Sequence, residues 1–143
     1  MSSLIEELLE RPYWVVDFLP RQVPADRGGR FFAVEPYYLN GPRGSELHRK
    51  FADLLLKLNC YYAFRYFPGA GEDPAEDPDP DMLREWLSAE GASLNVLIGS
   101  EHTLITYSSG CTNLTVYDPS PEVLELIRQL AGAEGLFVWQ PPQ

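Results

Sequence analysis

Cysteine is scarce in this chain: Cys60 and Cys111 are the two, and neither belongs to a C-x-x-C pair. That is too few for a disulfide framework, so reduced thiols in a cytosol are expected, with a single bridge between the two left open. No apolar run approaches the roughly 20 residues that span a bilayer. Met1 to Arg11 also lack a basic stretch followed by an apolar run and a small-residue cleavage site. A protein that is neither membrane-embedded nor exported is the expectation. G-x-S-x-G, the P-loop and G-x-G-x-x-G are missing as well. Gly28-Gly29, Gly69-Ala70-Gly71 and Gly110 read as isolated turn glycines, which leaves nucleotide-dependent chemistry no foothold. Two histidines and two unclustered cysteines match no zinc-ligand spacing. No catalytic, cofactor-binding or metal-ligating residue is therefore assigned.

Positive charge is nearly missing from the second half. Residues 1–71 carry nine Lys and Arg against eight Asp and Glu, whereas residues 72–143 carry two against thirteen. The halves are thus +1 and −11, within a net charge of −10. Such a lopsided field steers a basic partner and repels nucleic acid from that side. With 143 residues the chain is long enough for one core and too short for two.

The spacing of Ser3 and Glu6 fits a capping box, so a short helix is predicted, stopped by Pro12. Tyr13 to Leu19 reads as a strand in which Asp17 is the odd member. Pro20 to Arg30 reads as a surface loop, and Phe31 to Leu39 as a second strand whose Pro36 implies an edge or a bulge. Leu47, Phe51, Leu54, Leu55 and Leu58 recur at helical spacing over Ser45 to Leu58. An aromatic strand from Tyr61 to Phe67 follows, then a flexible Pro, Gly and carboxylate loop over residues 68–79. Asp79 and Pro80 open a helix with Leu83, Trp86 and Leu87 as its buried stripe. Leu94 to Ile98, Thr103 to Tyr107 and Thr112 to Tyr117 alternate with period two and predict a three-stranded meander. Ser120 and Pro121 open a last helix, and Leu136 to Gln140 is the final strand. The result is a single α+β domain over residues 1–143: a mixed, mainly antiparallel sheet with about four helices. Residues 31–67 echo residues 112–140 in wording, which fits either an old strand, helix, strand duplication or the common grammar of α+β folds.

The most conspicuous local feature is the run of carboxylates at Glu72, Asp73, Glu76, Asp77, Asp79 and Asp81, extended by Glu85 and Glu90. Asp77, Asp79 and Asp81 fit the first three positions of a calcium loop. Met82 stands where glycine makes the turn and Ser88 where the bidentate glutamate belongs, so the motif fails. The run reads instead as a partner-binding acidic face. A nucleophilic cysteine needs a base in reach; Cys111 is a better candidate than Cys60, but His102 lies in a turn at the far end of the intervening strand. Tyr61, Tyr62, Phe64, Arg65, Tyr66 and Phe67 suggest a stacking platform for single-stranded nucleic acid, against which the charge argues.

Pro12-Tyr13-Trp14-Val15-Val16-Asp17-Phe18-Leu19-Pro20 and Leu55-Leu56-Lys57-Leu58-Asn59-Cys60-Tyr61-Tyr62 resemble small bacterial proteins with no assigned role. The resemblance covers the first half of the chain, carries no site, and implies a bacterial, cytoplasmic setting. The functional expectation is a non-enzymatic acidic protein-binding or adaptor module, without a cofactor. Its partner would be a basic protein or, in a homodimer, a second copy, and not a nucleic acid or a membrane. A sharper form is an immunity or antitoxin-like inhibitor of a basic nuclease. The rival is a small hydrolase or transferase whose cleft would be lined by Glu35, Asp17, His48 or Cys111.

Overall fold

The computed structural model describes residues 2–40, 44–67, 75–88, 93–108 and 112–141. Seven strands form one antiparallel sheet: β1 (Tyr13–Asp17), β2 (Arg65–Phe67), β3 (Ala75–Glu76), β4 (Ser93–Ile98), β5 (Thr103–Ser108), β6 (Asn113–Tyr117) and β7 (Phe137–Trp139). Their order is β3-β2-β4-β5-β6-β1-β7. The described residues form five α-helices: α1 (Ser2–Leu8), α2 (Gly28–Asn40), α3 (Gly44–Asn59), α4 (Pro80–Ser88) and α5 (Pro121–Ala133). The α+β class holds, with every described strand pair antiparallel rather than mixed.

Alternation along the strands divides the sheet into two faces. One row runs Leu94, Tyr107, Leu114, Val16 and Val138, and the next runs Tyr66, Val96, Ile105, Val116 and Trp14. Onto these rows α3 lays Leu47, Phe51, Leu54, Leu55 and Leu58, and α5 lays Val123, Ile127 and Ala131. That is the main core. The other face is covered at one end by α1, where Leu8 packs on Leu97 and Leu104 with Leu4, Ile5, Phe67 and Tyr117 around them. Beyond α1, Asn95, Thr106 and Thr115 form a half-buried polar row across β4, β5 and β6.

The meander and the heptad-like stripe of α3 stand where the sequence places them. Ser120 caps α5 by accepting the Val123 amide at 3.2 Å, and Asp79 caps α4 by accepting the Asp81 amide at 2.9 Å. Gly135 supplies the left-handed backbone, at φ +76°, that turns α5 into β7.

Three expectations need correction. Phe31 to Leu39 is not a strand but most of α2, with Pro36 inside the helix. Half-buried Phe31, Val34 and Tyr38 recur at i, i+3 and i+7 and face inward, Tyr38 against Phe18 with ring centroids 4.9 Å apart. Aromatic content had mimicked a β-signal. The segment that the internal echo needs as its first strand is therefore helical. The aromatic strand shrinks to Arg65–Phe67, because Tyr61 to Phe64 are occupied in leaving α3. Within the expected loop over residues 68–79, Ala75–Glu76 pairs with β2 as edge strand β3. Residues 68–74 lie outside the described residues, as do the side chains of Trp86 and Leu87.

Candidate functional site

Asp77 and the start of α4 are held at the C-terminal end of α3, and the local reasons can be followed residue by residue. Asn59, the last residue of α3, donates through Nδ2 to the Tyr62 carbonyl at 3.0 Å and to Asp77 Oδ1 at 3.2 Å. Asp77 Oδ1 also accepts the Phe64 amide at 2.9 Å, and the Asp77 amide returns to the Phe64 carbonyl at 2.8 Å. This double clasp holds Asp77 in the left-handed region, at φ 42°, which aspartate tolerates better than most residues. It also fixes β3 beside β2, where Glu76 pairs with Arg65 across the strand register. Asp79 then caps α4, placing Asp81 in the first turn, where the helix dipole favours an anion. Asp81 lies 3.4 Å from Arg84, an exposed pair of little energetic weight.

Asp79, Asp81 and Glu85 are all exposed. Glu101, in the 3₁₀ turn Gly99–Glu101, and Glu122, in the first turn of α5, complete the arrangement. Glu101 and Glu122 share Tyr62 as a neighbour, whose phenol is held above its ordinary pKa by burial first and then by these two charges. Glu101 and Glu122 thus lie near the exit of α3, where the Tyr62 amide donates to the Leu58 carbonyl and Asn59 holds Asp77. Glu72, Asp73 and Glu90 lie outside the described residues.

Beside this end is a hollow of about 370 Å³ with an apolar floor of Leu4, Phe64 and Leu97 and a polar rim that includes Arg65, Asp77 and His102. His102, like Asp77, has a left-handed backbone, at φ 51°. The carboxylates of Glu76 and Asp77 point to partners in the chain itself, so the hollow is a recess in the acidic end rather than a convergence of free acids. Among the described residues, no group of three His, Cys, Asp or Glu is placed to hold a metal ion.

The remaining candidates are dispersed. His48, on α3, bonds through Nδ1 to the hydroxyl of Tyr107 on β5, and burial lowers its pKa. Asp17 follows Val16 on β1 and so faces the opposite side of the sheet. It is 5% exposed, its Oδ1 lacks a hydrogen-bond partner, and burial raises its pKa to about 6 against the pull of the Leu19 and Phe18 amides and the Trp139 indole. Glu35 lies on α2, half-buried. Asp17 and His48 therefore share no cleft. Cys60 is an exposed free thiol, and Cys111 lies outside the described residues. Of the aromatic segment, Phe64 and Tyr66 are in the core, Tyr62 and Phe67 are half-buried, and Tyr61 is exposed.

Asn59 and Tyr107 are the members that sequence reading missed. Asn59 ends a helix, and an asparagine before an aromatic run was its only signal; Tyr107 meets His48 across 59 positions, which no local pattern records. No protein-family model, curated protein or solved structure matches the chain.

Proposed function

We propose that this chain is a non-enzymatic binding or adaptor module that docks a basic protein on its acidic end. The observation that carries the reading is that Glu101 and Glu122 both act on Tyr62 while Asp77 is tied to Asn59 at the end of α3, with exposed Asp79, Asp81 and Glu85 following Asp77 into α4. Carboxylates clustered this way raise the encounter rate of a cationic surface and reject anionic ones. An immunity or antitoxin-like inhibitor that covers a basic nuclease is the sharper form of the same reading. A bacterial cytoplasm is the setting that goes with it, and the exposed free thiol of Cys60 suits a reducing compartment.

The decisive experiment is affinity capture followed by association kinetics with the captured partner. The triple variant Asp79→Asn, Asp81→Asn, Glu85→Gln should associate about tenfold more slowly at low salt. Its dependence on ionic strength should also flatten. A partner indifferent to these substitutions, or turnover of a small substrate with no macromolecule retained, would overturn the proposal.

A further inference from the structure

The outer side of α2 carries a second surface of different character. Around the helix, Phe32, Pro36, Gly29, Ala33, Tyr37 and Arg30 occupy one continuous arc, and all six are exposed. Phe32 is 71% and Tyr37 58% exposed, in a helix whose opposite side already packs on the protein. Neither ring is loose: Phe32 stands edge-on to Phe31 at 5.9 Å, and Tyr37 to Tyr38 at 5.1 Å. Rigid aromatic side chains braced from below lose little entropy when covered. Pro36 has no amide hydrogen, so the Phe32 carbonyl on this arc lacks its i+4 donor and is left to accept from elsewhere.

Charge chooses the occupant. Between Asp17 and Glu35 the chain has one carboxylate, Asp26, against Arg21, Arg27 and Arg30, and these three arginines are exposed. Among the described residues none of the three forms an ion pair. Beyond Tyr38, Glu46 and Lys50 offset each other. The arc is thus an apolar strip with a cationic N-terminal end, which the helix dipole reinforces. A second copy fits it poorly: a 13-residue helix is about 20 Å long and presents on the order of 200–400 Å², well below the roughly 800 Å² per partner of a stable complex. Two copies would also bring together net charges of −10 each. A short segment senses charges only within a Debye length of about 8 Å; at the N-terminal end Arg27 and Arg30 outnumber Asp26, while half-buried Glu35 lies off the arc toward the packed side of α2.

We infer that the exposed arc of α2, centred on Phe32, Ala33, Pro36 and Tyr37 and flanked by Arg27 and Arg30, docks an acidic peptide segment with apolar anchors from another protein. This site is separate from the acidic end, of opposite sign, and stands whether or not a basic partner binds there. Together the two would let one small domain join two partners of opposite charge.

The test uses the full chain and a fluorescein-labelled amphipathic peptide of about 15 residues, with Leu at i, i+3, i+4 and i+7, Glu at a few of the other positions and Ala at the rest. Binding on the order of 10–100 μM is expected, with about tenfold loss in Phe32→Ser, Tyr37→Ser and a similar loss in Arg27→Glu, Arg30→Glu. Because these side chains are exposed, thermal melts of the variants should overlay the wild type. Peptides with Ser for Leu, or with Lys for Glu, should bind at least about tenfold more weakly. Equal binding by the Phe32 and Tyr37 variant, or by the Lys peptide, would overturn the inference. So would Phe32-dependent dimerisation in sedimentation, or Phe32-dependent binding to phosphatidylglycerol vesicles in the absence of peptide binding.

Discussion

Asp17 and His48 pull stability in opposite directions with pH. The folded protein holds the Asp17 proton up to about pH 6, while an unfolded chain releases it near 3.8. The folded state therefore binds more protons between these values, and stability falls as pH rises through them, by about 3 kcal/mol in all. Asp17→Asn should stabilise the protein at pH 7 and flatten that slope, which urea melts at several pH values would measure. His48 behaves inversely. Burial lowers its pKa from 6.5, so the unfolded chain binds the proton first and stability falls as pH drops below that value. In the Asp17→Asn background, melts below pH 6.5 should isolate this loss, and His48→Gln should remove it. Asp17 was visible in the sequence as a carboxylate inside an apolar strand. The His48–Tyr107 bond was not, because its partners meet only through the packing of α3 on β5.

Among the elements, α3 and the meander were legible because their apolar residues keep one period throughout. The α2 helix was not: its inward residues are only half-buried, its outward ones are also apolar, and no polar side marks the period. Pro36 deepened the error, since proline in a helix interior costs about 3 kcal/mol and argues for an edge strand instead. Pro36→Ala should accordingly raise stability by about 1–3 kcal/mol, read as a higher thermal midpoint, with the site exposed enough to leave the packing intact. An unchanged or lower midpoint would mean that the fixed φ of Pro36, which restricts the unfolded chain, offsets the missing amide. At α5 the sequence signal was complete, and the Ser120 hydroxyl accepts the amide it was expected to accept. Ser120→Ala should cost about 1 kcal/mol in chemical denaturation.

For the molecule as a whole, packing brings Glu101 of the β4–β5 connection and Glu122 of α5 to Tyr62 and ties Asp77 to Asn59 at the end of α3. That convergence depends on Asn59 and Tyr62, and neither residue announces it in sequence. A net charge of −10 also repels itself, so the thermal midpoint should rise by a few degrees between low and moderate salt. A midpoint that falls instead would show that the described ion pairs, such as Lys57 with Glu134 at 2.8 Å, outweigh the repulsion.

The place of β1 in the strand order also governs how the molecule assembles. Tyr13 pairs with Tyr117, and Val15 with Trp139, so both edges of β1 wait for residues made much later than β1 itself. On the ribosome, this aromatic, β-branched segment emerges before β6 and β7 and has no strand to zip against until they have followed. Nascent chains arrested before Asn113 would keep both its edges open to proteases and chaperones, and those arrested before Phe137 the β7 edge alone.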